Sequence, residues 1–331
     1  MTKSATDNAR TRPAPLEARA KTSVKKQKPD SRLLTGPASN GVKYFDAHCH
    51  TNFAAYNEDR EEVILRAKDA DVGMNVVGTQ LDTSKSAVAL AQMYDNVYAT
   101  IGLHPIHTSK SYHDVKELGP SFASAKGGYA SGGKATEGKG GEEGFTSRGE
   151  VFDMPAYEAL GKNPRVIAVG ECGLDYYRSD ESTKEIQKNA FIQQIELANT
   201  LGKPLMLHIR NAYEDSLELI KAHAKVRGDV HFFAGDWNIA KQFLDIGFTL
   251  SFTGVLTFTH DYDEVVKNAP LDMILSETDA PYVSPVPHRG KRNEPLYVQE
   301  VVRAIARIRG EVLEKVAEQL LSNARRVFRL Q

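Results

Sequence analysis

The sequence predicts an α/β fold, in its simplest form a single (β/α)₈ barrel, on three observations. Eight short β-rich runs alternate with amphipathic helical runs. Six residues suited to binding metal fall at or beside the C-terminal ends of five of those runs, the pole where such barrels carry their active sites. Once an unlike tail and an unlike insertion are set aside, about 250 residues remain, the usual length of one barrel. The alternation alone also admits a doubly wound open sheet.

In chain order, residues 1–40 come first. They hold nine Lys and Arg against three Asp and Glu, four Pro and no apolar periodicity. Such a segment cannot bury enough apolar surface to offset its ordering entropy, so it is read as a disordered tail. It has no apolar stretch of the secretory kind, and its prolines interrupt any long amphipathic helix of the transit-peptide kind. Its basic balance gives it at most a weak affinity for nucleic acid. The body, 41–331, is read as one domain. Its β-rich runs are 42–48, 73–79, 96–103, 165–171, 204–209, 229–233, 248–252 and 272–277. Helical patterns fill 59–71, 83–94, 181–201, 212–226, 237–245 and 261–268, with two more near 294–309 and 311–328. Asp59 and Thr83 are the expected N-caps of the first two. Val312, Val316, Leu320 and Val327 make the apolar face of the last, which is expected to pack on the barrel wall. A stretch at about 107–150 breaks the rhythm. Its heart, GGYASGGKATEGKGGEEG at 127–144, has almost no large apolar residue and reads as a flexible, Gly-rich loop insertion.

Composition removes several classes. The 42 Lys and Arg against 43 Asp and Glu argue against a protein that coats nucleic acid by bulk charge. A local phosphate cleft is compatible with that balance. Two cysteines make no disulfide framework and fit a reducing compartment. The longest uncharged run, IGFTLSFTGVLTFT at 246–259, falls short of the roughly 20 residues that span a bilayer, so no membrane partner is expected.

The chemistry-bearing residues cluster by strand end. The first run closes in DAHCH, so His48 and His50 project to one face and can chelate a metal together. An isolated H-x-H is more often two polar residues at a strand end. Glu171 follows an apolar run in VGECGLDYY, where a carboxylate is costly to bury unless it is paired or bound to a cation. His208 in LMLHI and His231 in HFFAG sit inside apolar runs, and a lone His there is usually a hydrogen-bonded core residue. Asp279 in SETDAPY is also a plausible turn residue. Each reading alone is weak, but six coincidences at one pole are not. Four imidazoles and two carboxylates are about the complement of a two-metal site. His104, in GLHP after the third run, shares that pole, either as a turn residue or as a contact to substrate phosphate or a general acid. Cys49 and Cys172 each neighbour one of these residues and are read as core. Ligand softness favours Zn or Mn over Mg.

At these residues the chain resembles the TatD-type metal-dependent hydrolases, deoxyribonucleases among the amidohydrolase-like TIM barrels. The resembling stretches are FDAHCH at 45–50, GLHP at 102–105, GECGLDYYR at 170–178, LMLHIRNAYED at 205–215, HFFAG at 231–235 and ETDAPYVSPVPHRGKRNEP at 277–295. They keep the family's order and cover residue 43 to about 328. The departures are the tail, the insertion after GLHP and Cys172, where an aliphatic residue is usual. The resemblance implies a single TIM-type barrel and a cytoplasmic enzyme. It implies that His48 and His50 bind one cation with Asp279, that Glu171 is shared by two, and that His208 and His231 bind the second. The family's assays usually use Mg. It implies a DNA substrate cleaved at phosphodiester bonds, typically as a 3′→5′ exonuclease, by a water activated by two divalent cations. Asp279 is then the candidate general base. Within the HRGKRN run, Arg289, with Asn293 beside it, becomes a candidate contact to substrate phosphate. Tyr176, Tyr177 and Tyr282 could stack on bases, although at least two of them are expected to pack on neighbouring loops.

Two other readings stand beside this one. The same ligands suit an esterase or amidase, including one that deacylates D-aminoacyl-tRNA, as some members are described to do. A non-catalytic protein recruiting partners through its tail and insertion is opposed by the completeness of the ligand set.

Overall fold

The computed structural model describes residue 1 and residues 41–109, 112–114, 136–137, 143–146, 149–177 and 180–330. The tail expected at 1–40, Met1 apart, lies outside the described residues, as does most of the insertion expected at about 107–150.

In chain order the strands are β1 (Tyr44–Cys49), β2 (Val72–Val77), β3 (Val97–Ile101), β4 (Tyr112–Asp114), β5 (Thr136–Glu137), β6 (Glu143–Thr146), β7 (Val166–Asp175), β8 (Leu205–Arg210), β9 (Gly228–Val230), β10 (Thr249–Phe252) and β11 (Ile274–Ser276). Eight of them pair in parallel in the order β1-β2-β3-β7-β8-β9-β10-β11. The ends of this sheet meet just past β11. Cys49 bridges Ala280 in parallel, His50 N donates to Ala280 O at 2.7 Å, and Asp279 N donates to His48 O at 2.9 Å. The result is a nearly closed (β/α)₈ barrel, which decides against the open sheet. Each of the eight expected runs became one of its strands. All ten residues of β7 are buried, as a parallel strand covered on both faces requires.

The helices are α1 (Arg60–Asp69), α2 (Leu81–Met93), α3 (Met154–Gly161), α4 (Lys184–Leu201), α5 (Tyr213–His223), α6 (Trp237–Asp245), α7 (Asp263–Asn268), α8 (Val298–Arg309) and α9 (Leu313–Phe328). The sequence reading missed α3. Its start is nonetheless written locally: the Asp153 carboxylate accepts from Ala156 N at 3.1 Å, and Pro155 occupies the first turn, where its missing N–H costs nothing. Of the two expected N-caps one is corrected. Asp59 is the N-cap residue of α1 as expected, but its carboxylate makes no cap hydrogen bond and is taken by Arg292, at 2.6 and 2.8 Å. At α2 the cap is Gln80, and Thr83 is the third helical residue, its Oγ1 accepting from Gln80 N at 2.9 Å. On α9, Val316 and Leu320 are buried as expected, whereas Val312 precedes the helix and is exposed. Farther along α9, Ala324 and Phe328 cover a cluster of Phe45, Ala47, Ala168, Met206 and Leu275 from four strands.

Within the insertion, β4, β6 and β5 pair antiparallel as a small separate sheet, where a loop without regular structure was expected. Among the described residues no helix is long and apolar enough to cross a membrane.

Candidate functional site

Beyond the C-terminal ends of the strands lies a cavity of about 500 Å³. His50, His104, Glu171, His208, His231 and Asp279 line it, and His48 lies fully buried beneath. The structure therefore brings together all six expected ligands and His104. They arrive from β1, the end of β3, β7, β8, and the turns after β9 and β11.

Glu171 stands at the centre, only 3% exposed. It follows Gly170, whose φ is +155° and where a Cβ would lie 2.4 Å from Met206 O, so only glycine lets β7 press against β8 at this point. The two carboxylate oxygens of Glu171 face different groups. Oε2 lies 3.4 Å from His48 Nε2 and 3.7 Å from His50 Nε2. Oε1 lies 2.9 Å from His208 Nδ1, 3.3 Å from His104 Nε2 and 3.6 Å from His231 Nε2. Asp279 Oδ1 completes the first group, 3.5 Å from His50 Nε2 and 3.9 Å from His48 Nε2. The two Nε2 atoms of that group are 3.1 Å apart.

Neighbouring groups decide which ring nitrogens are free to bind. His50 Nδ1 donates to the Val77 carbonyl at 2.9 Å, so in the neutral ring Nε2 carries the lone pair. His208 Nε2 donates to Asp175 Oδ2 at 3.1 Å, which turns Nδ1 toward Glu171. His231 Nδ1 lies 3.1 Å from Glu277 Oε1, which fixes that edge of the ring. Glu277 is itself fully buried, and it also accepts from Phe232 N at 2.7 Å and Ser251 Oγ at 2.9 Å. His104 differs from the others. Its Nδ1 accepts from Ile106 N at 3.2 Å, so the neutral ring carries its proton on Nε2 and presents a donor to Glu171. Burial, with His208 close by, lowers the His104 pKa to about 4 and keeps the ring neutral.

The remaining titrations reflect the same crowding. Burial pushes the Glu171 carboxyl up, but the imidazoles of His104 and His48 outweigh it and hold the group well below the usual range. Burial opposes charge on His231, yet Glu277 and Glu171 raise it to about 10. Burial also acts on Asp175, and the hydrogen bond from His208 brings that carboxyl down to about 2.

This donor set fits divalent cations. Donors at about 2.1 Å from a shared ion stand roughly 3.0 to 3.4 Å apart in octahedral or tetrahedral geometry. The separations of 3.1 to 3.9 Å around His48, His50, Glu171 and Asp279 are close to this, as are those of 2.9 to 3.6 Å around Glu171 Oε1. His48 Nδ1 is buried without a hydrogen-bond partner among the described residues, so the ring gains its polar contact through Nε2 alone.

Two backbone conformations support the site. Asp279 has φ +55° and Phe232 φ +45°, both in the left-handed region that side chains avoid. Asp279 is held there by its neighbours. Asp46, fully buried on β1, accepts from Thr278 N at 2.9 Å and Thr278 Oγ1 at 2.6 Å.

The expected substrate contacts lie elsewhere. Asn293 is fully buried, and its Nδ2 donates to Thr278 O at 2.9 Å and Tyr282 O at 2.6 Å, bracing the turn that carries Asp279. Arg289 donates to Ser284 O at 2.9 Å and lies over the Phe258 ring. Neither is part of the cavity wall. Tyr282 lines the cavity, whereas Tyr176 donates to Asp215. Cys49 and Cys172 are buried in the core. The sequence reading passed over Asp46, Asp175 and Glu277. Asp46 lies in FDAHCH, Asp175 in GECGLDYYR and Glu277 in ETDAPY, and Asp46 and Glu277 each stand two residues before an expected ligand.

Comparison with known proteins gives the family. The family described as TatD related DNase matches residues 45–329. An uncharacterized metal-dependent hydrolase, YabD, of Bacillus subtilis is 35% identical, covering 86% of this chain and 99% of its own. A protein of Klebsiella pneumoniae named 3′-5′ ssDNA/RNA exonuclease TatD is 30% identical, with coverages of 86% and 97%. Among solved structures, the TatD homologue YjjV of Escherichia coli superposes with a TM-score of 0.71 at 25% identity, covering 88% of this chain and 99% of that one.

Proposed function

The chain belongs to the TatD-related DNases and is a metal-dependent hydrolase; from that premise we propose that it is a cytoplasmic nuclease cleaving phosphodiester bonds of DNA or a related nucleic acid, as a 3′→5′ exonuclease. The observation that carries this reading is the division of Glu171, whose two oxygens face two separate sets of imidazoles. His48, His50, Asp279 and Glu171 would hold one divalent cation. His208, His231 and the other oxygen of Glu171 would hold a second. Bound cations supply Lewis acidity, which acidifies a water and offsets phosphoryl charge.

The side chains do the rest. Asp279, ionised and at the cavity wall, takes the proton of the attacking water on its carboxylate and later returns it toward the leaving oxygen. Burial raises its pKa, but the hydrogen bond from His50 and the imidazoles around it hold the group below the usual range, so it is a base at neutral pH. His104, as an Nε2–H donor, keeps Glu171 oriented and ionised. Asp175 and Glu277 fix the rings of His208 and His231.

The test is a cation-supplemented assay of labelled single-stranded DNA beside D-aminoacyl-tRNA, with chelator controls. Stepwise shortening from the 3′ end supports the reading. Deacylation without DNA cleavage replaces it with an esterase acting on carbon.

A further inference from the structure

Among the residues lining the cavity, Arg210 is the one permanent cation. It closes β8 two residues after His208, so both project to the same face, and Arg210 lies about 6.6 Å nearer the mouth. Its side chain is exposed and has no ion-pair partner among the described residues. Three other described basic residues nearby are engaged: Lys188 with Asp215 at 2.8 Å, Arg292 with Asp59 at 2.6 Å, and Arg289 with the Ser284 carbonyl. Arg210 is nevertheless held in place. Its guanidinium lies 3.7 Å from the centroid of the Tyr177 ring. Tyr177 is anchored in turn, its N–H donating to Asp175 Oδ1 at 2.9 Å, and Asp175 is the carboxylate that orients His208. One carboxylate thus ties the cation at the mouth to the imidazole below it.

We infer that Arg210 binds the phosphate adjacent to the scissile one, with Tyr177 as the platform that keeps its guanidinium over the cavity. The inference rests on the nucleic-acid reading above and names the side chain that recognises the polyanion. A planar guanidinium with five donors suits a phosphodiester, and its height above His208 is comparable to the step between successive phosphates of an extended strand. The role expected of Arg289 passes to a residue two motifs earlier, in LMLHIR.

The experiment compares an oligodeoxynucleotide with bis(p-nitrophenyl) phosphate, a diester having a single phosphate, on the cation-loaded wild type, R210Q, R210K, Y177A and, as control, R303Q on the exposed face of α8. For R210Q, kcat/KM on the oligonucleotide is expected to fall at least about tenfold more than on the diester, mainly through KM, and the dependence of log KM on log salt to lose about one unit of slope. R210K recovers part of the loss, Y177A shares it, and R303Q matches wild type on both substrates. Equal losses of R210Q on the two substrates, or an unchanged KM and salt slope on the oligonucleotide, overturn the inference. A wild type that cleaves the diester but not the oligonucleotide overturns the nucleic-acid reading instead, and this inference falls with it.

Discussion

Asp175 accepts a hydrogen bond from His208 Nε2 at 3.1 Å, on the side of the ring opposite Glu171. The imidazole is therefore clamped between two carboxylates, one in the cavity centre and one at its wall. A ring fixed in this way presents Nδ1 to a cation with its tautomer already set. Replacing Asp175 by Asn keeps the shape and removes the charge. Affinity for the cation proposed at His208 and His231 is expected to drop by about 10–100-fold, read by calorimetric titration, while the chelated protein melts close to wild type.

Asp279→Asn tests the base. Asparagine tolerates the left-handed backbone at this position as well as aspartate does, so the turn is preserved. Without a carboxylate to take the proton, kcat is expected to fall by about 10²–10⁴-fold on either substrate, with the circular dichroism spectrum unchanged. Normal turnover in this variant removes Asp279 from the role.

Asn293→Ala separates support from recognition. The side chain is buried and its donors hold Thr278 O and Tyr282 O, so its loss strands two carbonyls and loosens the Asp279 turn. A stability loss of about 1–3 kcal/mol in denaturant titration is expected, with kcat reduced and KM little changed. A pure KM defect would restore Asn293 to substrate binding.

Cation binding should release protons. In the metal-free protein His231 is held protonated up to about 10, because Glu277 and Glu171 together outweigh its burial. A cation must expel that proton, and expulsion becomes easier as pH rises toward that value. Affinity at the Glu171 Oε1 side is therefore expected to rise about tenfold per pH unit between neutrality and pH 9. Calorimetry in buffers of different ionisation enthalpy reads the released proton directly.

Much of this was legible in the sequence, for identifiable reasons. The strands were readable because parallel strands buried on both faces leave continuous apolar runs, and the six candidate ligands stood out against those runs. The helix at Met154–Gly161 was not read, because it is short and follows the Gly-rich stretch, although Asp153 and Pro155 announce its start. Asp46, Asp175 and Glu277 escaped because their partners Thr278, His208 and His231 lie on or just after other strands, and pairing across a barrel leaves no local spacing. Arg289 and Asn293 drew attention through the charge of their run. Sequence shows that a guanidinium is present but not whether a backbone carbonyl already holds it, as Ser284 O does here. Arg210, hidden in a strand end, carried no such run.

The claim on which the account turns is that Glu171 joins two cation sites. Its most direct test is the metal content of the protein purified without chelator and equilibrated with Mn or Zn, for wild type and Glu171→Ala. Wild type is expected to hold about two ions per chain, and Glu171→Ala to lose affinity for both. A wild type that binds one ion at saturation, or a Glu171→Ala variant that retains two, would contradict it.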